Sequence, residues 1–225
     1  MELDLKEWWF SLSSEWKSVF FQALDIETRP TDDELEKMIN LKEINCGKLN
    51  IDSLEPLTYM TNLELLICFR TNITTLEPLR NLHNLKEIRF FETEIEDLEP
   101  IKNLTNLEDL KFFKTKVKSL EYLKDLVNMK SIHCSDLEID NLDPLAKMVN
   151  LEKIFCSQTL IKDISVLANM PKLEKVSCNN TEISSVAPIE ALKNLQVVDI
   201  RDTKVPREEA LSFKKDHPDC ITFFS

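Results

Sequence analysis

The sequence predicts an α/β solenoid, with a curved parallel β-sheet on its concave face and short 3₁₀ or α segments on its convex face. Three observations carry this. Leucine or methionine recurs every 22 residues without insertion, at Leu41, Leu63, Leu85, Leu107, Met129, Leu151, Leu173 and Leu195. Within each unit the fourth and sixth places are apolar (Ile88 and Phe90, Leu110 and Phe112), which is the alternation of a short strand with one buried face. A small polar residue then precedes a short run with an acidic residue and often a proline, as in Ser53-Leu-Glu-Pro56, which reads as the start of a helix. One such unit cannot bury its apolar face alone, so the units must stack.

Taken in order, residues 1–40 form a helical N-terminal cap. Ser13 caps a helix carrying Trp16, Val19 and Phe20, and Thr31 with Glu34 makes a capping box for a second one carrying Leu35 and Met38. The three tryptophans are read as cap core. Eight units follow over 41–205, starting at 41, 63, 85, 107, 129, 151, 173 and 195. They predict an eight-strand sheet with Phe90 and Phe112 buried. Ser53, Thr75, Asp97, Ser119, Asn141, Asp163 and Ser185 are the expected N-caps of the helical pieces, which the short remaining length makes partly 3₁₀. Residues 206–225 make a helix–strand C-terminal cap, so both ends of the solenoid are expected to be closed.

This pattern is identified as a leucine-rich repeat, and it resembles the 22-residue class of the internalins and of a regulatory subunit of type 1 protein phosphatase. The segment LSSEWKSVFFQAL also resembles the opening of uncharacterised bacterial leucine-rich-repeat proteins. Those families usually carry Asn at the ninth place, whose amide binds the backbone of adjacent coils. Here the ninth place holds Thr71, Thr93, Thr115, Thr159, Thr181 and Thr203, with Leu49 and Leu137 as exceptions. The turn is expected to close with altered curvature, since a hydroxyl reaches less far than an amide.

Composition narrows the function. Gly47 is the only glycine, so no glycine-rich phosphate loop or dinucleotide fingerprint can be built. A net charge of −12 weighs against nucleic acid and anionic membranes as partners. His83, His133 and His217 are scattered, and no metal-ligand spacing occurs, so no cofactor or metal is expected. His133 and Cys134 are neighbours on a strand and point to opposite faces, which excludes a Cys–His catalytic pair. Five of the six cysteines fall at the inward sixth place, where reduced thiols behave as small hydrophobes. With an acidic start lacking an export signal, this gives the expectation of a reducing, cytoplasmic setting.

The outward places point to a binding surface. In repeats two to four the seventh place holds Phe69, Phe91 and Phe113, flanked by Leu65 and Ile67 and rimmed by Arg70, Arg89 and Lys111. His133 and Phe155 occupy outward fifth places further along, with Phe155 standing off from the row. Aromatics stacked on adjacent strands also support a sheet. A patch confined to half the solenoid and ringed by charge favours docking of a partner. The reading is a monomeric, non-enzymatic scaffold that binds a protein or peptide on its concave face, with Arg89 and Lys111 meeting carboxylates. The phosphatase-subunit resemblance implies an alternative, a regulatory subunit of a cytosolic enzyme.

Overall fold

The computed structural model describes residues 3–225. Three helices, α1 (Leu5–Ser11), α2 (Ser14–Leu24) and α3 (Asp32–Ile39), precede the repeats. Eight strands follow: β1 (Glu43–Asn45), β2 (Leu65–Ile67), β3 (Glu87–Arg89), β4 (Asp109–Lys111), β5 (Ser131–His133), β6 (Lys153–Phe155), β7 (Lys175–Ser177) and β8 (Val197–Asp199). Helix α4 (Arg207–Asp216) and strand β9 (Ile221–Phe223) close the chain. The strands form one parallel sheet in sequence order, and β1 to β8 pair residues one 22-residue unit apart, as in Leu66↔Ile88 and Ile88↔Leu110. The expected eight-strand sheet is therefore corrected to nine, because β9 of the C-terminal cap pairs in parallel with β8.

Seven 3₁₀ segments line the convex side, from Glu55–Leu57 to Ala187–Ile189. The small polar residues stand one place before the expected cap position. Ser53 Oγ, Asp97 Oδ1 and Asn141 Oδ1 accept from the N–H two residues on, at 3.2, 2.8 and 2.7 Å, and Thr75, Ser119, Asp163 and Ser185 do the same. A three-residue 3₁₀ turn is too short to receive a bond at its third amide, so the side chain satisfies an earlier one.

The turn after each strand has an unusual solution. The eighth place of every repeat, from Lys48 to Asp202, lies in the left-handed region with φ between 53° and 65°, although none of these residues is glycine. Such a conformation costs an L-residue about 1–2 kcal/mol. Hydrogen bonds offset that cost. The eighth-place amide donates to the next coil's seventh-place carbonyl, as in Lys48 N to Phe69 O at 2.8 Å. The ninth-place threonines donate to the carbonyl three residues back, for example Thr93 Oγ1 to Phe90 O at 2.6 Å. The bonding between coils expected of a ninth-place Asn is instead made from the last place of the unit: Asn84, Asn106, Asn128 and Asn194 donate to Thr61, His83, Thr105 and Pro171 carbonyls at 2.8–2.9 Å.

The core is a continuous stack of the first-, fourth- and sixth-place residues, and Phe90 and Phe112 are fully buried within it. At its start the three tryptophans are buried, and two of them also cap the first convex turn through their indoles. Trp8 Nε1 donates to Pro56 O at 3.1 Å and Trp16 Nε1 to Ser53 O at 3.0 Å. At its end Glu209 of α4 accepts from the Ser185 hydroxyl and from the Val186 amide, at 2.7 and 2.6 Å. All six cysteines are free and buried. Burial pushes the Cys46 thiol up to about 12 and Cys68 well above the usual thiol range, and Cys178 is raised likewise, first by the hydrogen bond it shares with Cys156 and then by burial.

Candidate functional site

The odd spacing of the paired phenylalanines becomes a ladder in three dimensions. Because the sixth place turns inward, the seventh turns out, even though the hydrogen-bonded strands end at the fifth. Phe69, Phe91 and Phe113 are half-buried and stack nearly parallel on the concave side, with centroids 4.5 and 4.4 Å apart and ring planes 9° and 10° from each other. The ladder does not stop there. His133 stacks on Phe113 at 4.2 Å, and Phe155 leans on His133 at 5.2 Å. Phe155 is thus part of the row rather than apart from it, correcting the expectation that it stands off. The ladder passes from the seventh to the fifth place between Phe113 and His133, where the seventh place is the small and buried Ser135.

Sandwiched between two rings, His133 is held neutral. Burial first, then the nearby Lys111 charge, pushes its pKa down to about 4, and Asp136 opposes this only partly. It therefore behaves as a fifth aromatic ring at neutral pH.

Leu65 and Ile67 lie to one side. They line a groove of about 550 Å³ against Val19 and Ala23 of α2, where the N-terminal cap meets β1. The charged rim is also rearranged. Arg89 is bonded to Glu87 of its own strand, and Lys111 lies 3.6 Å from Glu87 and 3.5 Å from Asp109. Arg70 forks onto Glu92 at 2.6 and 3.1 Å. Register places Glu87 beside Asp109 and Arg89 beside Lys111, so the two basic groups expected to meet a partner's carboxylates are already engaged by acids of the sheet. Aligning the third and fifth places of the repeats would have revealed this.

A larger groove of about 710 Å³ opens away from the ladder, on the edge where Leu137 interrupts the threonine row and Leu160 is exposed. Its wall charges Lys118 and Glu138 are paired at 2.8 Å. Among the described residues no group of three or more His, Cys, Asp or Glu is placed to hold a metal. The ladder is the more coherent surface.

Comparison with known proteins agrees with this architecture. A family profile for leucine-rich repeats in two copies matches residues 149–190. No curated protein matches the sequence significantly. Among solved structures, internalin C2 of Listeria monocytogenes superposes with a TM-score of 0.85 over 94% of this chain and 93% of its own, at 21% identity. A leucine-rich-repeat protein of Leptospira interrogans matches with a TM-score of 0.71 over 88% of this chain and 58% of its own, at 17% identity. With eight in-phase 22-residue units, a nine-stranded parallel sheet and these neighbours, the chain has the fold of a leucine-rich-repeat solenoid.

Proposed function

We propose that this protein is a non-enzymatic scaffold that docks a protein or peptide on the concave face, with the ring ladder as the apolar centre of the contact. Leucine-rich-repeat solenoids are typically scaffolds of this kind. The observation that carries the reading is the unbroken run Phe69–Phe91–Phe113–His133–Phe155, half-exposed and bordered by charges that already neutralise one another. An apolar centre inside a polar rim is the anatomy of a protein interface. The geometry also narrows the contact. Phe91, Phe113 and His133 have both faces covered by neighbouring rings, so they present edges to a ligand. Ring edges suit aliphatic groups, thioethers and the faces of other aromatics, whereas a stacked nucleobase or sugar needs a free face.

The test is a selection of peptides from a random dodecapeptide library on the immobilised protein, followed by titration of the recovered peptides. The double variant Phe91→Ala with Phe113→Ala, shown to be folded by circular dichroism, is expected to bind them at least about 30-fold more weakly, as for central anchors. Equal affinity would move the binding site elsewhere.

A further inference from the structure

The concave face changes character beyond the ladder. Lys153 of β6 and Lys175 of β7 are both half-buried at the third place of their repeats and are direct register partners. Like charges placed opposite each other on adjacent strands destabilise a sheet. Elsewhere on this face the same problem is solved internally, as Arg89 and Lys111 share Glu87 and Asp109. No such compensation occurs here. Among the described residues neither lysine makes an ion pair within 4.0 Å or a side-chain hydrogen bond, although each follows a glutamate, Glu152 or Glu174, in sequence. The next row adds a further donor. Asn179 Oδ1 accepts from Ser157 at 2.5 Å and from Ser177 at 3.2 Å, which leaves the amide nitrogen of Asn179 without a partner.

We infer that Lys153 and Lys175 form an acidic-residue subsite at the end of the ladder, so that the partner is a peptide segment with an apolar anchor followed by Asp or Glu side chains. This rests on the concave-face reading above and names the chemistry of the ligand. Phe155 sits on the same strand as Lys153, so a segment crossing the strands along the ladder meets the lysines as it leaves the rings. The chemistry favours carboxylates over phosphate. Two separate ammonium groups on an open sheet offer point charges, without the guanidinium fork or nest of backbone amides that encloses a phosphoryl group.

The experiment uses the same random dodecapeptide library on three immobilised proteins: the wild type, Lys153→Gln with Lys175→Gln, and Phe91→Ala with Phe113→Ala. Peptides recovered on the wild type should combine apolar residues with two or more Asp or Glu. The lysine variant should lose that acidic enrichment while keeping the apolar one. A recovered peptide should bind the lysine variant about tenfold more weakly at low salt, a difference that shrinks at 0.3 M salt. Wild-type peptides without acidic enrichment, enrichment unchanged by the lysine variant, or preferential recovery of phosphorylated peptides from a matched phosphopeptide array would overturn the subsite. If the lysine variant behaves as expected but the phenylalanine variant binds unchanged, the ladder reading falls and the acidic subsite stands. Recovery of no peptide above background would contradict both.

Discussion

The ring of Phe69 lies directly over Gly47, so close that a β-carbon on the glycine would sit 2.7 Å from Cε1 and 2.9 Å from Cδ1 of the ring. The chain's only glycine is there for space, since it does not have a positive φ, whereas its neighbour Lys48 does. Gly47 is the seventh-place residue of the first repeat, the position that holds the ladder's phenylalanines in the next three. It gives the terminal ring a flat backbone seat, and Lys48 Nζ lies 5.8 Å from the centroid of the same ring.

Gly47→Ala should therefore tilt Phe69 off its seat and loosen its stacking on Phe91 without unfolding the turn. The expected cost is about 1 kcal/mol, comparable to one aromatic pair, and ring-current shifts of Phe69 and Phe91 should change in the NMR spectrum. Unchanged shifts would mean that the ring does not rest on the glycine.

The neighbours Phe90 and Phe91 should separate by role. Phe90→Ala leaves a cavity between stacked coils and should cost about 3–5 kcal/mol in urea unfolding. Phe91→Ala removes two ring contacts on a half-buried face and should cost about 1–3 kcal/mol. Equal costs would make the ladder part of the core.

Much of this was legible in the sequence. A strict period with no insertion fixes which side of the sheet each residue faces, so the inward Phe90 and the outward Phe91 follow from counting. Three features were harder to read. His133 joins the ladder from a different place in the repeat, because the small Ser135 leaves room for a ring to lean sideways, and alternation along one strand says nothing about leaning across strands. Arg89 and Lys111 are engaged by acids two residues away on their own strands, and Lys111 also reaches Glu87 across the register, a contact that alternation along one strand does not reveal. The left-handed turn at the eighth place carries no glycine to announce it.

That turn makes a prediction of its own. Lys114 has a φ of 54° and no ion pair among the described residues, so Lys114→Gly should relieve backbone strain. After the entropy cost of the added glycine in the unfolded chain, a gain of up to about 1 kcal/mol is expected. A loss of stability would show that the hydrogen bond from the Lys114 amide to Ser135 O depends on the lysine itself.

His133 should make stability depend on pH. Its pKa is pushed from an ordinary value of 6.5 down to about 4 in the folded protein, mainly by burial. The unfolded chain therefore takes up this proton first as pH falls. The contribution is complete above pH 6.5 and declines between there and about 4. Discounted for partial exposure, it is on the order of 1 kcal/mol by pH 5. His133→Phe should remove this component, so the melting temperature of the variant should fall less than that of the wild type between pH 7 and 5. Parallel curves would mean that the imidazole titrates freely in the folded state.

The most direct test of the ladder as a contact surface is site-specific photo-crosslinking in the cells that make the protein. Benzoylphenylalanine would replace Phe155, at the end of the ladder, and separately Tyr122, which is exposed on a convex 3₁₀ turn. A discrete protein adduct is expected from position 155, abolished by Phe91→Ala with Phe113→Ala, and none from position 122. Equal adducts from both positions, or an adduct at 155 that survives loss of the two phenylalanines, would contradict it.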